Sequence, residues 1–370
     1  MNHLRRNGNL HGLIVIILSL VVTIVVIVVV VLNPKSVRMT SDSLRNETFH
    51  KVKTPPRIHY QNTSNPIPLN NYSWYLQPED YIYRSGSWDG APIVLEEYKL
   101  IFFTVAKVGC TVWKQLFRRM MGYSNWKSWN WKTHDPSING LIYLYHYSLE
   151  EANYMIQSPE WTKAIFVRDP PTRILSAYLD KGRRHNGSYV QHHCCPSQNK
   201  TCGWRASQSF ESFLQTILVE YSNQTQCIRD PHWMRMTDRL PHSLLQWLES
   251  SQNFTLTQQQ QQQHINDMRP TTSWFVGHME TLADDARRLL QKVGAWEKYG
   301  ATGWSRSKGE NSSSTKTSDE IFQSNSATHA TDASQLLSSY YELSSTTFIQ
   351  QLVLKFYAPD YDISLFGFRK

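Results

Sequence analysis

The residues best placed to do chemistry fall in two short stretches. The first, Leu100 to Gly122, sets Lys107, Gly109 and Thr111 in a turn of small residues, after an apolar run, Leu100-Ile101-Phe102-Phe103. That run has the length and aromatic content of a strand buried on both faces. Beyond the turn, Val112, Leu116, Phe117 and Met120 share one face of a helix that Gly122 stops. Strand, tight turn and helix in that order aim backbone N–H groups and a helix N-terminus at one point, which suits an anion. Lys107 adds a positive charge there and the Thr111 hydroxyl a donor. The stretch therefore predicts a phosphate cradle built from Lys107, Val108, Gly109, Cys110 and Thr111. Taken alone it also fits an ordinary strand–loop–helix connection with a solvated lysine. It lacks GxxxxGK[ST], so a nucleoside-triphosphatase loop has no support.

A second anion site follows from Lys163 to Arg183. Ala164 to Val167 is another short apolar run, ending in Arg168, and Asp169-Pro170-Pro171 then allows a helix to start. Ile174, Leu175 and Tyr178 form its buried face. Arg168, Arg173 and Ser176 are expected to converge on one phosphate, because the planar fork of arginine matches phosphate oxygens. The competing reading pairs Arg168 with Asp169 or a neighbouring carboxylate.

These residues carry a resemblance. Ala106-Lys107-Val108-Gly109-Cys110-Thr111-Val112-Trp113-Lys114 resembles the 5′-phosphosulfate loop of Golgi carbohydrate sulfotransferases, the chondroitin/dermatan 4-O-sulfotransferase group, where it runs roughly P-K-V-G-C-T-N-W-K. Arg168-Asp169-Pro170-Pro171-Thr172-Arg173-Ile174-Leu175-Ser176-Ala177-Tyr178 is similar to the group's 3′-phosphate motif, R-[DE]-P-x-x-R-L-x-S-A-Y. Phe275-Val276-Gly277 with Glu280-Thr281-Leu282, Phe356 to Tyr361 with Leu365-Phe366-Gly367, and Asp230-Pro231-His232-Trp233 add supporting matches. The resemblance covers residues 98–300 and 333–368 discontinuously. Ala106 replaces the usual proline, which loosens the turn slightly, and Val112 replaces the usual asparagine, which removes a polar contact at the 5′ end.

The resemblance implies an α/β, P-loop-like sulfotransferase fold with a central parallel sheet. It also implies transfer of a sulfuryl group from 3′-phosphoadenosine 5′-phosphosulfate to a carbohydrate hydroxyl, with no metal required. Lys107 would stabilise charge on the leaving 5′-phosphate, and Arg168 and Ser176 would hold the 3′-phosphate. A histidine or carboxylate is expected to take the hydroxyl proton. An imidazole suits that task near neutral pH, and His134, in the polar loop after the first motif, is the candidate, with Asp135, His146 and His185 as rivals.

The chain of 370 residues has room for one large domain with appendages. Its formal charge of +8 favours acidic or phosphorylated partners, but the basic residues are dispersed and form no run of the kind that marks a nucleic-acid surface. Thirteen Trp and nineteen Tyr fit a carbohydrate-binding surface and a packed core equally well. Residues 13–32 are uncharged and apolar, about 30 Å of helix, enough to span a bilayer. A cleaved signal peptide is the alternative, but Asn33-Pro34-Lys35 follows instead of a small-residue cleavage site. Arg5 and Arg6 before the span and Lys35 and Arg38 after it barely discriminate orientation. The sequons at Asn46, Asn62, Asn71, Asn186, Asn199, Asn223, Asn253 and Asn311 all follow the span. They predict a single-pass type II Golgi membrane protein: a tail of residues 1–12, an anchor of 13–32, a proline-punctuated stem of 33–95, and a lumenal sulfotransferase domain of 96–370.

Cys194, Cys195, Cys202 and Cys227 predict two disulfides in an oxidising compartment, with the pairing open except that the adjacent Cys194 and Cys195 do not join. His192 and His193 beside them raise a zinc reading, but the spacing fits no standard ligand pattern. The glutamine tract within residues 250–265 and the Ser/Thr-rich residues 305–331 read as solvated insertions. Further elements are a short strand at Leu141 to Leu144, a capped helix start at Ser148, a strand at Trp274 to Gly277, a helix from Leu282 to Val293 and a long helix from Leu336 to Phe356. Asp360-Tyr361-Asp362 matches the D-x-D of metal-dependent glycosyltransferases, the single support for that alternative, though its place beside the terminal motif favours a structural role. A non-catalytic, glycosylated surface-binding protein on the same fold is the other alternative; intact Lys107 and Arg168 argue against it. Oligomeric state, acceptor sugar and sulfated position are not encoded in any readable motif.

Overall fold

The computed structural model describes residues 75–80, 83, 91–127, 131–252, 274–304, 319–322, 331–342 and 346–368. The predicted span, most of the stem and the glutamine tract lie outside these residues. Among the described residues no helix is long and apolar enough to cross a membrane.

The centre is a four-stranded sheet of β1 (Ile93–Leu95), β2 (Leu100–Phe103), β3 (Thr162–Val167) and β4 (Trp274–His278), in the order β1-β2-β3-β4. Every residue of β1, β2 and β3 is buried, as short uninterrupted apolar runs require. β2, β3 and β4 are parallel, with Phe103 opposite Ile165 and Val167 opposite His278. β1 runs antiparallel to β2, so the sheet is mixed rather than all parallel. The physical reason is the connection: β1 and β2 are joined by the short turn Glu96–Tyr98, closed by Lys99 in the left-handed region, and so short a link permits only a hairpin. Ile93 to Leu95, read from sequence as the end of the stem, thus belong to the sheet.

Helices of eight residues or more are α1 (Cys110–Met120), α2 (Leu149–Gln157), α3 (Pro170–Ala177), α4 (His242–Gln252), α5 (Leu282–Lys292), α6 (Ala333–Glu342) and α7 (Thr346–Phe356). α1 buries Val112, Trp113, Leu116 and Phe117 against the sheet, where Trp113 lies 4.8 Å from Phe102 and 4.6 Å from Phe166 between ring centroids. Ser148 starts α2 with the expected reciprocal cap: its hydroxyl accepts from the Glu151 N–H and its own N–H donates to the Glu151 carboxylate. Asp169 caps α3 by accepting from the Thr172 N–H, with both prolines in the first turn. A second apolar core joins Ile174, Leu175 and Tyr178 of α3 to Phe213, Ile217, Trp233, Ile349 and Val353. The Cys194–Cys227 and Cys195–Cys202 disulfides form beside it.

Two expectations change. Leu141 to Leu144 is not a strand: Tyr143 makes one isolated bridge to Ile93, and a 3-10 turn, Leu144–His146, follows at once. The final helical stretch is described as α6 and α7, and residues 343–345, within the expected helix from Leu336 to Phe356, lie outside the described residues. Nor is the stretch 305–331 solvated throughout. Ile321 is buried and donates its N–H to Gly300, and Phe322 packs 5.0 Å from Trp113 between ring centroids. Gly277 shows how closely the sheet's last strand approaches its neighbour: a Cβ there would stand 2.3 Å from the Phe166 ring.

Lys163 lies inside β3, almost wholly buried, with its ammonium donating to the Ser158 carbonyl at 3.0 Å. Burial lowers its pKa to about 8. The unfolded chain holds this proton up to the ordinary lysine value, so near neutral pH the lysine costs stability, and the cost disappears as pH climbs from about 8 towards 10.5. Lys163→Met should therefore be more stable than the wild type at neutral pH by about 1–3 kcal/mol, and the difference should narrow with rising pH in urea titrations. A gap that stays constant across that range would mean that burial does not shift the lysine's pKa in the fold.

Candidate active site

The parallel register brings the C-terminal ends of β2 and β3 side by side, so the turn after Phe103 and Arg168 after Val167 share one edge of the sheet. That edge is where crevices form in open α/β sheets. Two residues in the first turn take the left-handed conformation that a tight reversal needs, Lys107 with φ 70° and Gly109 with φ 69°. At Gly109 the absent side chain matters twice, because a Cβ would also press on the Phe322 ring at 3.2 Å. α1 starts directly after Gly109, with no side chain capping it and no acidic residue in its first turn. Its N-terminal N–H groups and the helix dipole therefore favour an anion.

Lys107 is nearly buried and its ammonium sits 2.9 Å from the Asp180 carboxylate. Burial holds its pKa below the usual lysine range, and Asp180 opposes that shift. On the other side of the turn, the Thr111 hydroxyl lies 3.1 Å from Nε2 of His134, at the end of the 3-10 turn Trp131–His134. The predicted base thus lies against the predicted phosphate loop. Val108 is buried, and Cys110 is the one free cysteine of the chain, half-buried. Among the rivals, Asp135 accepts from Ser137 and His146 accepts from the Tyr143 N–H, each within its own turn.

Arg168, 7% exposed, donates to the Lys107 carbonyl at 3.3 Å and to the Ser334 hydroxyl at 3.2 Å. Its buried Nε has no partner among the described residues, a guanidinium donor that an anion would satisfy. The Ser176 hydroxyl lies 2.8 Å from that of Thr331. Thr331 and Ser334 flank the start of α6, so this second anion site is closed by a helix the chain supplies more than 150 positions later. Their contribution was not read from sequence, since Thr331 fell in a stretch taken for a solvated loop. The signal was slight: a threonine and a serine bracketing the first residues of an apolar-periodic segment. The competing reading pairs Arg168 with Asp169, but the Asp169 carboxylate accepts from the Thr172 N–H and hydroxyl. Glu280 is the carboxylate whose charge most favours the Arg168 guanidinium.

Arg173 stands apart from the phosphate groups it was expected to join. It is fully buried, and its three nitrogens donate to the carbonyls of Ala106 at 3.1 Å, Met234 at 2.7 Å and Pro231 at 3.0 Å. It ties the phosphate loop to the Asp230-Pro231-His232-Trp233 stretch. There Asp230 accepts from Tyr189 and from the His232 N–H, and stands 2.8 Å from the His232 imidazole. Burial lowers the pKa of His232, with Asp230 acting against it. A cavity of about 400 Å³ opens beside this group, lined by Asp180, Lys181, Arg184, His185, Tyr189 and His193 among others. The His185 expected as a rival base lines this cavity. Among the described residues no cluster of His, Cys, Asp or Glu could hold a metal ion. Asp360, the first acid of the D-x-D, is buried and accepts from the N–H groups of Met236 and Thr237.

Comparison with known proteins accords with this geometry. The model of the Sulfotransferase family matches residues 92–369. The chain belongs to that family. Carbohydrate sulfotransferase 11 of Danio rerio is 29% identical over 216 residues, covering 55% of this sulfotransferase and 52% of that protein. Carbohydrate sulfotransferase 11 of Mus musculus is 27% identical over 256 residues, 65% of this chain and 62% of its own. Carbohydrate sulfotransferase 9 of Homo sapiens is 23% identical over 214 residues, 55% and 40% of the two chains. This chain spans about half the length of these curated relatives. No solved structure matches it.

Arg173→Lys tests the tie. A lysine reaches one carbonyl where the guanidinium satisfied three, so the variant should lose about 3 kcal/mol in urea unfolding. It should also bind adenosine 3′,5′-bisphosphate more weakly, because the loop at Ala106 is no longer held. Unchanged stability and affinity would show that the three bonds do not hold the loop.

Proposed function

We propose that the protein is a carbohydrate O-sulfotransferase that moves a sulfuryl group from 3′-phosphoadenosine 5′-phosphosulfate to a hydroxyl of a glycan or proteoglycan. The observation that carries this reading is the pairing of two anion sites on one sheet edge, the open N-terminus of α1 with Lys107, and Arg168 with its unpartnered Nε beside Ser176. The donor carries two phosphate ends, and the second distinguishes it from ATP. The names of the relatives, all carbohydrate sulfotransferases, support the same chemistry.

In this reading the acceptor oxygen attacks sulfur, the bond from sulfur to the 5′-phosphate oxygen breaks, and adenosine 3′,5′-bisphosphate leaves. Lys107 and the N–H groups from Val108 to Thr111 meet the charge that grows on the departing phosphate. Arg168 and Ser176 bind the 3′-phosphate, and the Ser334 and Thr331 hydroxyls now on them give way to its oxygens. Arg173 positions the loop rather than touching phosphate. His134, against Thr111, takes the proton from the acceptor hydroxyl. The cationic cavity at Lys181 and Arg184 is the acceptor's entry, and its charge favours saccharides bearing carboxylates or sulfates. The chemistry asks for no metal. The two disulfides fit an oxidising lumen, and with the apolar segment 13–32 they support a single-pass type II protein of the Golgi membrane.

Lys107→Ala should cut sulfate transfer by about 100-fold or more while the fold persists. Arg168→Ala should instead act on binding, weakening affinity for adenosine 3′,5′-bisphosphate at least about tenfold by calorimetry. Normal turnover in the first variant, or unchanged affinity in the second, would sink the assignment of these residues.

A further inference from the structure

Asp180 belongs to neither phosphate motif, yet it stands at the junction of the site. It lies in the turn Tyr178–Gly182 that continues α3, and its side chain is only 6% exposed. One oxygen, Oδ2, is 2.9 Å from the Lys107 ammonium and 3.6 Å from that of Lys181; the other, Oδ1, is 3.2 Å from the Arg184 guanidinium. Lys181 and Arg184 line the cavity, so one carboxylate forms the wall shared by the donor loop and the cavity.

From this geometry we infer that Asp180 is a positioning residue, the counter-charge that keeps the Lys107 ammonium in place and aimed at the phosphate loop before a donor arrives. The inference rests on the proposed donor site. An isolated ammonium as buried as Lys107 would shed its proton, because taking a lone charge out of water is costly. The groups that face Lys107 sort into two sets. Asp180 and Cys110 favour its charge, whereas Lys181 disfavours it, and His232 lies close enough to feel it. The Arg168 guanidinium meets the Lys107 backbone carbonyl on the opposite side. Asp180 is thus the principal group that offsets burial, and it lies outside α1, whose first turn carries no acidic residue. Because the carboxylate also holds Lys181 and Arg184, transfer of Lys107 to an incoming phosphate leaves it neutralised from the cavity side.

Calorimetric titration of the full chain with adenosine 3′,5′-bisphosphate, from neutral to alkaline pH, tests this. The wild type should lose affinity at the pH where Lys107 gives up its proton. Removing Asp180 removes the main influence that raises the lysine's pKa, so in Asp180→Asn that loss should begin about one pH unit lower or more. The double variant Asp180→Asn with Lys107→Arg should show no such loss, since a guanidinium stays charged throughout. Asp180→Glu keeps the charge and should follow the wild-type profile, so it decides the matter if Asp180→Asn does not fold. A uniform drop in affinity at every pH in Asp180→Asn, or an Asp180→Glu profile displaced as if the charge were gone, would overturn the inference. Absence of binding by the wild type at any pH would instead overturn the donor site on which it rests.

Discussion

The structure depends most on one buried guanidinium. Arg173 reaches from α3 into three backbone carbonyls that no regular element satisfies, at Ala106, Pro231 and Met234. A buried carbonyl without a partner is costly, and a fixed fork of donors on one side chain settles three at once. The result is a joint between the phosphate loop, the helix that follows the second motif and the stretch around Trp233. Through that joint the two anion sites keep their separation, which is what a donor with phosphates at both ends demands. It also bears on Ala106, where a proline would stiffen the turn: here the turn's carbonyl is held from outside.

Charge in the site is arranged by burial as much as by sequence. Lys107, Arg168 and Arg173 are all withdrawn from water, and each has a different answer to the cost: a carboxylate, a pair of polar oxygens with one donor left over, and a full set of carbonyls. The leftover donor on Arg168 and the uncapped start of α1 are two places beside the site where hydrogen-bonding groups of the described residues are left over. Both lie on the same edge of the sheet. An anion with two charged ends, as in the proposed donor, would complete both.

The terminal residues serve the same edge indirectly. His278, the last residue of β4, lies with Nε2 2.8 Å from the Phe366 carbonyl, and its N–H donates to Asp285, which also accepts from Thr281. The following turn then offers Glu280 to the Asp169 N–H. Phe366 is in this way fastened to the strand end that neighbours Arg168.

What the sequence determined by itself is the pair of strand–turn–helix units and the residues that mark their turns. Those features are local: apolar runs of strand length, helical spacing at Val112, Leu116 and Met120, a glycine where the backbone must enter the left-handed region, and a capping aspartate before two prolines all act over a few residues. The capping box at Ser148 was legible for the same reason. What only the tertiary structure decided involves partners distant along the chain. Arg173 reads as a phosphate ligand because its motif neighbours read so, and only packing shows that three carbonyls claim it. Thr331 and Ser334 carry no local sign of lying on Arg168 and Ser176. The direction of β1 depends on the length of its turn relative to β2, and Asp180 gains meaning only when the loop folds Lys107 onto it. Local periodicity encodes elements; the assignment of charges and hydrogen bonds between them is settled by burial, which no short stretch of sequence can express.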